Sequence, residues 1–262
     1  MLMNRKLVLF VTFAFVSLIA TTAFAAGQEA LRLVFKGKAG DVSEYNVEMT
    51  GKSTVAAQGE SKTTDMNMTM LIRQKIIQVA EDGTQDVSTT IVDGKTFMGG
   101  QNVELPNVGT SLLMKITERG KVLNVTGNTP QDMDFQQMQV EFPEKKVEIG
   151  DSWTRRLKAN EKFPIPMIAK YTITGFSKVK GYDCVVIKST IGVDPNYVNK
   201  DKMELTVDAS GLLYFAYKDG KMIKNEVNSL MDLTMMLETP EQKEPVKINM
   251  KMDLGMNMTL GN

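Results

Sequence analysis

The sequence predicts a mainly β protein, a large antiparallel meander forming a curved open half-barrel or a sandwich. Three observations carry that prediction. The C-terminal stretch alternates without a slip: Ile248, Met250, Met252, Leu254, Met256, Met258 and Leu260 are apolar. Between them stand Asn249, Lys251, Asp253, Gly255, Asn257 and Thr259. A period of two gives a strand with one dry and one wet face. At about 3.3 Å per residue it is roughly 40 Å long, so it needs neighbours of similar length. Second, Gly, often after Asp, punctuates the chain at turn-like intervals. Third, helical spacing occurs in the mature chain at one place only, near 129–142.

At the N-terminus Arg5 and Lys6 precede the apolar run Leu7 to Ala20, and Ala23-Phe24-Ala25 has the small-x-small form of a signal-peptidase site. The run is too short for a membrane span of roughly 20 residues. Residues 1–25 therefore read as a cleaved signal helix, no transmembrane anchor remains after cleavage, and the mature protein is expected in the periplasm or secreted. Residues 26–262 read as a single all-β domain, or as two diverged halves, 31–127 and 147–262.

Along the mature chain, Leu31–Phe35 reads as a short strand and Gly40-Asp41 as a turn into the long strand Val42–Ala57. Thr63–Ala80 alternates through Met66, Met68, Met70 and Ile72, then changes phase at Ile76-Ile77, the mark of a bulge. Turns at Glu81-Asp82-Gly83 and Asp93-Gly94 bound the strands Asp86–Val92 and Lys95–Leu105. Strands Thr110–Glu118 and Lys121–Val125 pair about Arg119-Gly120. Thr129, Pro130 and Asp132 suit a helix start, with Phe135, Met138 and Phe142 on one side and Pro143 as its stop. Then follow strands Trp153–Ala159, Ile168–Val179 and Tyr182–Val193, the last two turning at Lys180-Gly181. A hairpin of Lys202–Val207 and Leu212–Tyr217 is expected about Ala209-Ser210-Gly211. Asp219-Gly220 leads into Lys221–Leu237, which should form a terminal hairpin with the last strand. Recurring Gly-Asp, Val and Thr-Ile elements, such as Gly40-Asp41 against Gly150-Asp151, are the basis for reading two halves.

Composition removes several chemistries. Without residues 1–25 the chain has 29 basic and 31 acidic residues, a net charge of −2, with the signs interspersed. That is no footprint for nucleic acid or an anionic membrane. There is no histidine, which excludes Ser–His–Asp and Cys–His hydrolysis and histidine-bound zinc or copper. Cys184 is alone, so no intrachain disulfide forms and no thiolate metal cluster can be built. No catalytic residues, resident cofactor or metal are assigned, and the chain is expected not to be an enzyme. With 7% aromatic residues and no aromatic belts, a membrane barrel is disfavoured.

What remains is methionine. Met66, Met68, Met70, Met231, Met235, Met250, Met252, Met256 and Met258 fall on apolar faces of strands. Flexible thioethers fill irregular space and adapt to varied apolar ligands. The face is therefore the candidate site for a lipid or other apolar small molecule in an exported, non-enzymatic cell-envelope protein. Two alternatives stay open. One is a structural or interaction module whose core is closed and whose partner is an envelope protein. The other is Cu(I) bound through Met-x-Met strands, since thioethers select soft metals. Ile248, Leu254 and Leu260 on the same face favour the apolar reading. Trp153 is expected to plug the sheet, and Cys184 to be a buried small hydrophobe.

Leu33-Val34-Phe35-Lys36 followed by Gly40-Asp41-Val42, the Gly83 turn, and Phe142-Pro143-Glu144 leading to Val147-Glu148-Ile149-Gly150-Asp151-Ser152-Trp153 are similar to an exported bacterial family of unknown function. At the level of fold the chain also resembles the LolA and LppX lipoprotein and lipid carriers. The resemblance implies a long curved antiparallel sheet with a helix across its mouth, and it implies no catalytic residues.

Overall fold

A computed structural model describes residues 29–127, 139–159, 165–197, 203–237 and 245–261. Twelve strands make one antiparallel sheet: β1 (Val42–Ala57), β2 (Glu60–Val79), β3 (Gln85–Met98), β4 (Gln101–Val103), β5 (Ser111–Ile116), β6 (Val122–Gly127), β7 (Ser152–Leu157), β8 (Met167–Val179), β9 (Tyr182–Val193), β10 (Met203–Ala216), β11 (Lys221–Leu237) and β12 (Val246–Leu260). Their order is β6-β5-β3-β2-β1-β12-β11-β10-β9-β8-β7, with β4 folded back on β3. The two chain ends of the sheet thus meet in its middle, where β1 and β12 run antiparallel from Tyr45↔Leu260 to Ala57↔Ile248. The sheet is open and curved, as a half-barrel, and does not form the two stacked layers of a sandwich.

The long alternating stretches form strands within a few residues of the expected bounds, because a one-residue slip would move every methionine to the wet face. The phase change in β2 is a bulge, with Ile77 unpaired between Ile76↔Val87 and Gln78↔Asp86. The terminal hairpin β11–β12 forms as expected.

Some expectations lie outside the described residues and others are corrected. Among the described residues there is no helix. The expected helix at 129–142 falls mostly on residues 128–138, and the signal helix on 1–28, both outside the described residues; 139–142 are not helical. Asp93-Gly94 is not a turn. β3 runs through it, with a bulge at Val92 between Leu71↔Asp93 and Ile72↔Ile91. Glycine suits that position because a Cβ would press on Leu105 Cδ2 and lie 3.0 Å from the Thr69 carbonyl of the neighbouring strand. The turn comes later, at Gly99-Gly100. Ala209-Ser210-Gly211 is not a turn either. It lies inside β10, paired on both sides, and a Cβ on Gly211 would meet the Glu226 carbonyl at 2.5 Å. In both places glycine serves close strand approach, which the sequence alone does not separate from chain reversal. Leu31–Phe35 makes one bridge, Leu31↔Val147, in place of a strand.

Two straps, 29–41 and 139–150, close one end of the half-barrel. Phe35 N–H donates to the Glu118 carbonyl (2.6 Å) and Lys36 N–H to the Gly220 carbonyl (2.9 Å), so the first strap joins the β5–β6 turn to the β10–β11 turn. Phe142 N–H donates to Arg119 (2.8 Å) in the second. Leu33, Phe142 and Val147 bury against Ala169, Tyr171 and Ile173 of β8, Val185 and Ile187 of β9, and Leu213 and Phe215 of β10. Phe142 and Phe215 have ring centroids 4.7 Å apart. A second cluster joins Tyr45, Leu260 and Ile223 to Cys184 and Ala216, and a third holds Val87, Leu112, Met114, Ile116 and Val122.

Each strap ends in the same turn. Gly40 N–H donates to Ile76 O (2.8 Å) and Ile76 N–H to Asp41 O (2.9 Å); Gly150 N–H donates to Ile173 O (2.9 Å) and Ile173 N–H to Asp151 O (2.9 Å). The Asp41 carboxylate accepts from Lys38 N–H (2.8 Å) and the Asp151 carboxylate from Glu148 N–H (3.2 Å).

Candidate functional site

Residues directly opposite in an antiparallel pair share a face, so the register decides which methionines meet. β1 pairs Met49 with Met68 of β2 and with Met256 of β12. Val47 stands between Met70 and Met258, and Gly51 between Met66 and Leu254. Farther along, Met231↔Met252, Leu233↔Met250 and Met235↔Ile248 continue the face onto β11, and Met203↔Met235 onto β10. All nine methionines singled out in the sequence therefore lie on one face of the sheet, on β2, β12 and β11, with β1 between β2 and β12. The opposite face carries Asn, Thr, Glu and Lys, with ion pairs such as Arg73–Glu44 (2.7 Å) and Lys251–Asp232 (3.3 Å).

The face grades from closed to open. Tyr45 is 3% exposed and Leu260 7%, beneath the strapped end, whereas Val55 is 37% and Met98 42% exposed at the other. Each of the nine methionines is half-buried. That is the state of a side chain flanked by strand neighbours with little above it. Lys62, opposite Val55, and Glu60, opposite Ala57, are charged groups at the open rim on this face. An open depression of ≈ 540 Å³ adjoins that rim, lined by Ala56, Ala57, Gln58, Gly59, Pro245, Val246, Lys247 and Asn249.

The site includes residues that the sequence reading did not assign to it. Met49 sits at the centre of the face, and Met98 and Met203 extend it at its open end. Met49 does alternate with Tyr45 and Val47, but one methionine in a strand is no signal until pairing places two more beside it. Thr96, opposite Met68, is 5% exposed, and its hydroxyl has no hydrogen-bond partner; the Thr89 hydroxyl is likewise unpaired.

Other residues belong to the closed end. Trp153 Nε1 donates to the Glu141 carbonyl (2.9 Å) and its ring stacks on Tyr171 at 5.3 Å, which fastens the second strap to β7 and β8. Cys184 is fully buried, and burial pushes its thiol pKa up. Burial likewise raises the Tyr45 phenol to about 12, and its hydroxyl donates to the Met222 carbonyl at 3.2 Å. None of these groups is poised for proton transfer near neutral pH. Among the described residues no cluster of three or more His, Cys, Asp or Glu could hold a metal ion, and no helix is long and apolar enough to cross a membrane.

No curated protein matches the chain. Solved structures resemble it at low identity. A structure of lipovitellin concerned with lipid–protein interactions aligns at 10% identity and a TM-score of 0.47, over 87% of this chain; the chain spans 26% of that protein's length. A putative exported protein with a YmcC-like fold from Bacteroides fragilis aligns at 8% identity and a TM-score of 0.27, covering 88% of this chain and 99% of the other. A putative outer membrane lipoprotein-sorting protein domain from Vibrio parahaemolyticus aligns at 10% identity and a TM-score of 0.20, covering 83% of each. In sequence, residues 128–218 match the model of a family of unknown function, DUF6263, in line with the resemblance to a family without an assigned role.

Proposed function

We propose that this chain is a non-enzymatic carrier or binding protein of the cell envelope that takes an acyl chain or another elongated apolar ligand on the methionine face. The observation that supports it is the gradient along a single layer. The same face of β1 and β12 that is buried at Tyr45 and Leu260 becomes half-open toward Val55 and Ile248. Leaving that much apolar surface in water has a cost, roughly 25 cal/mol per Å². A monomer seldom keeps such a face without using it. Unbranched methionine suits ligands of varied shape better than Val or Ile, whose rotamers are stiff. The signal peptide read from residues 1–25 supports this reading, since envelope lipids are handled outside the cytoplasm.

The test is uptake of a fluorescent fatty acid by purified residues 26–262, with native mass spectrometry for lipid that co-purifies. Saturable uptake is expected. The double variant Met231→Glu with Met252→Glu puts two carboxylates at one cross-strand pair, and should weaken uptake about tenfold or more. A protein that carries no lipid and takes up none would end this reading in favour of an interaction module.

A further inference from the structure

Lipid binding uses the methionines as apolar volume and leaves their sulfur atoms without a role. We propose that the centre of the face is also a soft-metal site that binds a single Cu(I) through the thioethers of Met49, Met68 and Met256.

The register carries the proposal. Met49 is directly opposite Met68 on one side and Met256 on the other, so three adjacent strands present a row of three thioethers on one face. Side chains so paired have Cβ atoms about 4.5–5.5 Å apart, and diagonal neighbours are about 7–8 Å away. Met66, Met70 and Met258 occupy diagonal positions around Met49. Six thioethers thus surround one point of the sheet, each on an arm with three rotatable bonds. Strand pairing holds their backbones in place on β2, β1 and β12, the central strands of the sheet. No sequence window shows this cluster, since its three core members are 19 or more residues apart.

Chemistry selects the ion. A neutral all-thioether set is too soft for Mg²⁺, Ca²⁺ or Zn²⁺, which take oxygen, imidazole or thiolate, and it suits Cu(I). Three neutral ligands leave the ion a single positive charge. A fully dry site would oppose that charge, but Met49, Met68 and Met256 are half-buried, so water remains near the ion. The proposal does not rest on lipid binding, because it assigns the sulfur atoms and not the apolar area.

Replacing methionine by leucine separates the two roles, since the swap keeps volume and hydrophobicity and removes the thioether. Purified residues 26–262 are titrated under nitrogen with the Cu(I)–bicinchoninate complex. The expected result is transfer of a single Cu(I) to the protein. That transfer is lost in Met49→Leu with Met68→Leu and Met256→Leu, and kept in Met203→Leu with Met235→Leu at the mouth. Circular dichroism and a cooperative thermal melt matching the parent report that the triple variant is folded. No transfer to the parent protein, or transfer unchanged in the triple variant, overturns the metal site. Cu(I) transfer without fatty-acid uptake in the parent would leave the site standing and remove the lipid reading.

Discussion

Tyr45 shows how burial sets the chemistry of single residues here. At 3% exposure its phenol is raised by desolvation to about 12 from the usual 10.0. The folded protein therefore holds the phenolic proton more tightly than the unfolded chain. The associated stability is fully present below pH 10 and is lost as pH rises from about 10 through about 12. A shift of that size is worth about 2–3 kcal/mol. Urea unfolding between pH 9 and 12 should show stability falling, and Tyr45→Phe should flatten the fall; Tyr171, raised by the same cause, supplies part of what is left. Thr96 is the opposite case, a buried hydroxyl with nothing to bond. Removing a polar group that makes no hydrogen bond relieves its desolvation cost. Thr96→Val should thus raise stability by about 1 kcal/mol in denaturant melts, whereas loss of a satisfied hydroxyl would lower it. Cys184 should not react with a thiol reagent until the protein unfolds, since it is buried and its thiolate is disfavoured.

The elements divide into those that periodicity defines and those that contacts define. β1, β9 and β11 have the expected bounds, because alternation over many residues admits only one register of the dry face. The short segments follow other rules. Asp93-Gly94 and Ala209-Ser210-Gly211 have turn composition but lie in strands whose neighbours come too close for a side chain. The two Gly-Asp turns are elements in their own right, each ending a strap and starting an edge of a hairpin. Asp41→Ala and Asp151→Ala remove equivalent side chain–backbone bonds, of 2.8 and 3.2 Å. Each should cost about 0.5–1.5 kcal/mol in urea unfolding, and the two costs should add. A cost at one turn and none at the other would show that only one strap depends on it.

At the scale of the whole molecule the chain is a meander that begins and ends in the middle of its own sheet. β7 to β12 run inward from one edge, β1 to β6 run outward to the other, and β12 pairs β1. That seam, with the two straps that tie the β5–β6 turn to the other set of strands, is what joins residues 31–127 to 147–262. Either set of strands alone would present β1 or β12 as a long unpaired apolar edge, which favours aggregation. Fragments 26–127 and 139–262 should therefore aggregate when expressed separately and co-purify when expressed together. A soluble, folded fragment on its own would instead make each half an independent domain. Deleting 246–262 removes the partner of both β1 and β11, and should abolish the cooperative melt of the whole chain.

From the sequence alone came the strand class, the single apolar face and the nine methionines on it, because a two-residue period is a local property that survives without any neighbour. Its composition also excluded histidine and thiolate chemistry. The order of strands, the β1–β12 seam, the addition of Met49 and the openness of the face at one end were decided by tertiary structure. These depend on pairing between residues up to 215 apart, as Tyr45 with Leu260, and on straps whose Leu33 and Phe142 lie in no regular element. Alternation tells each strand which side is dry; only the pairing of strands determines whether that side is filled, and with what.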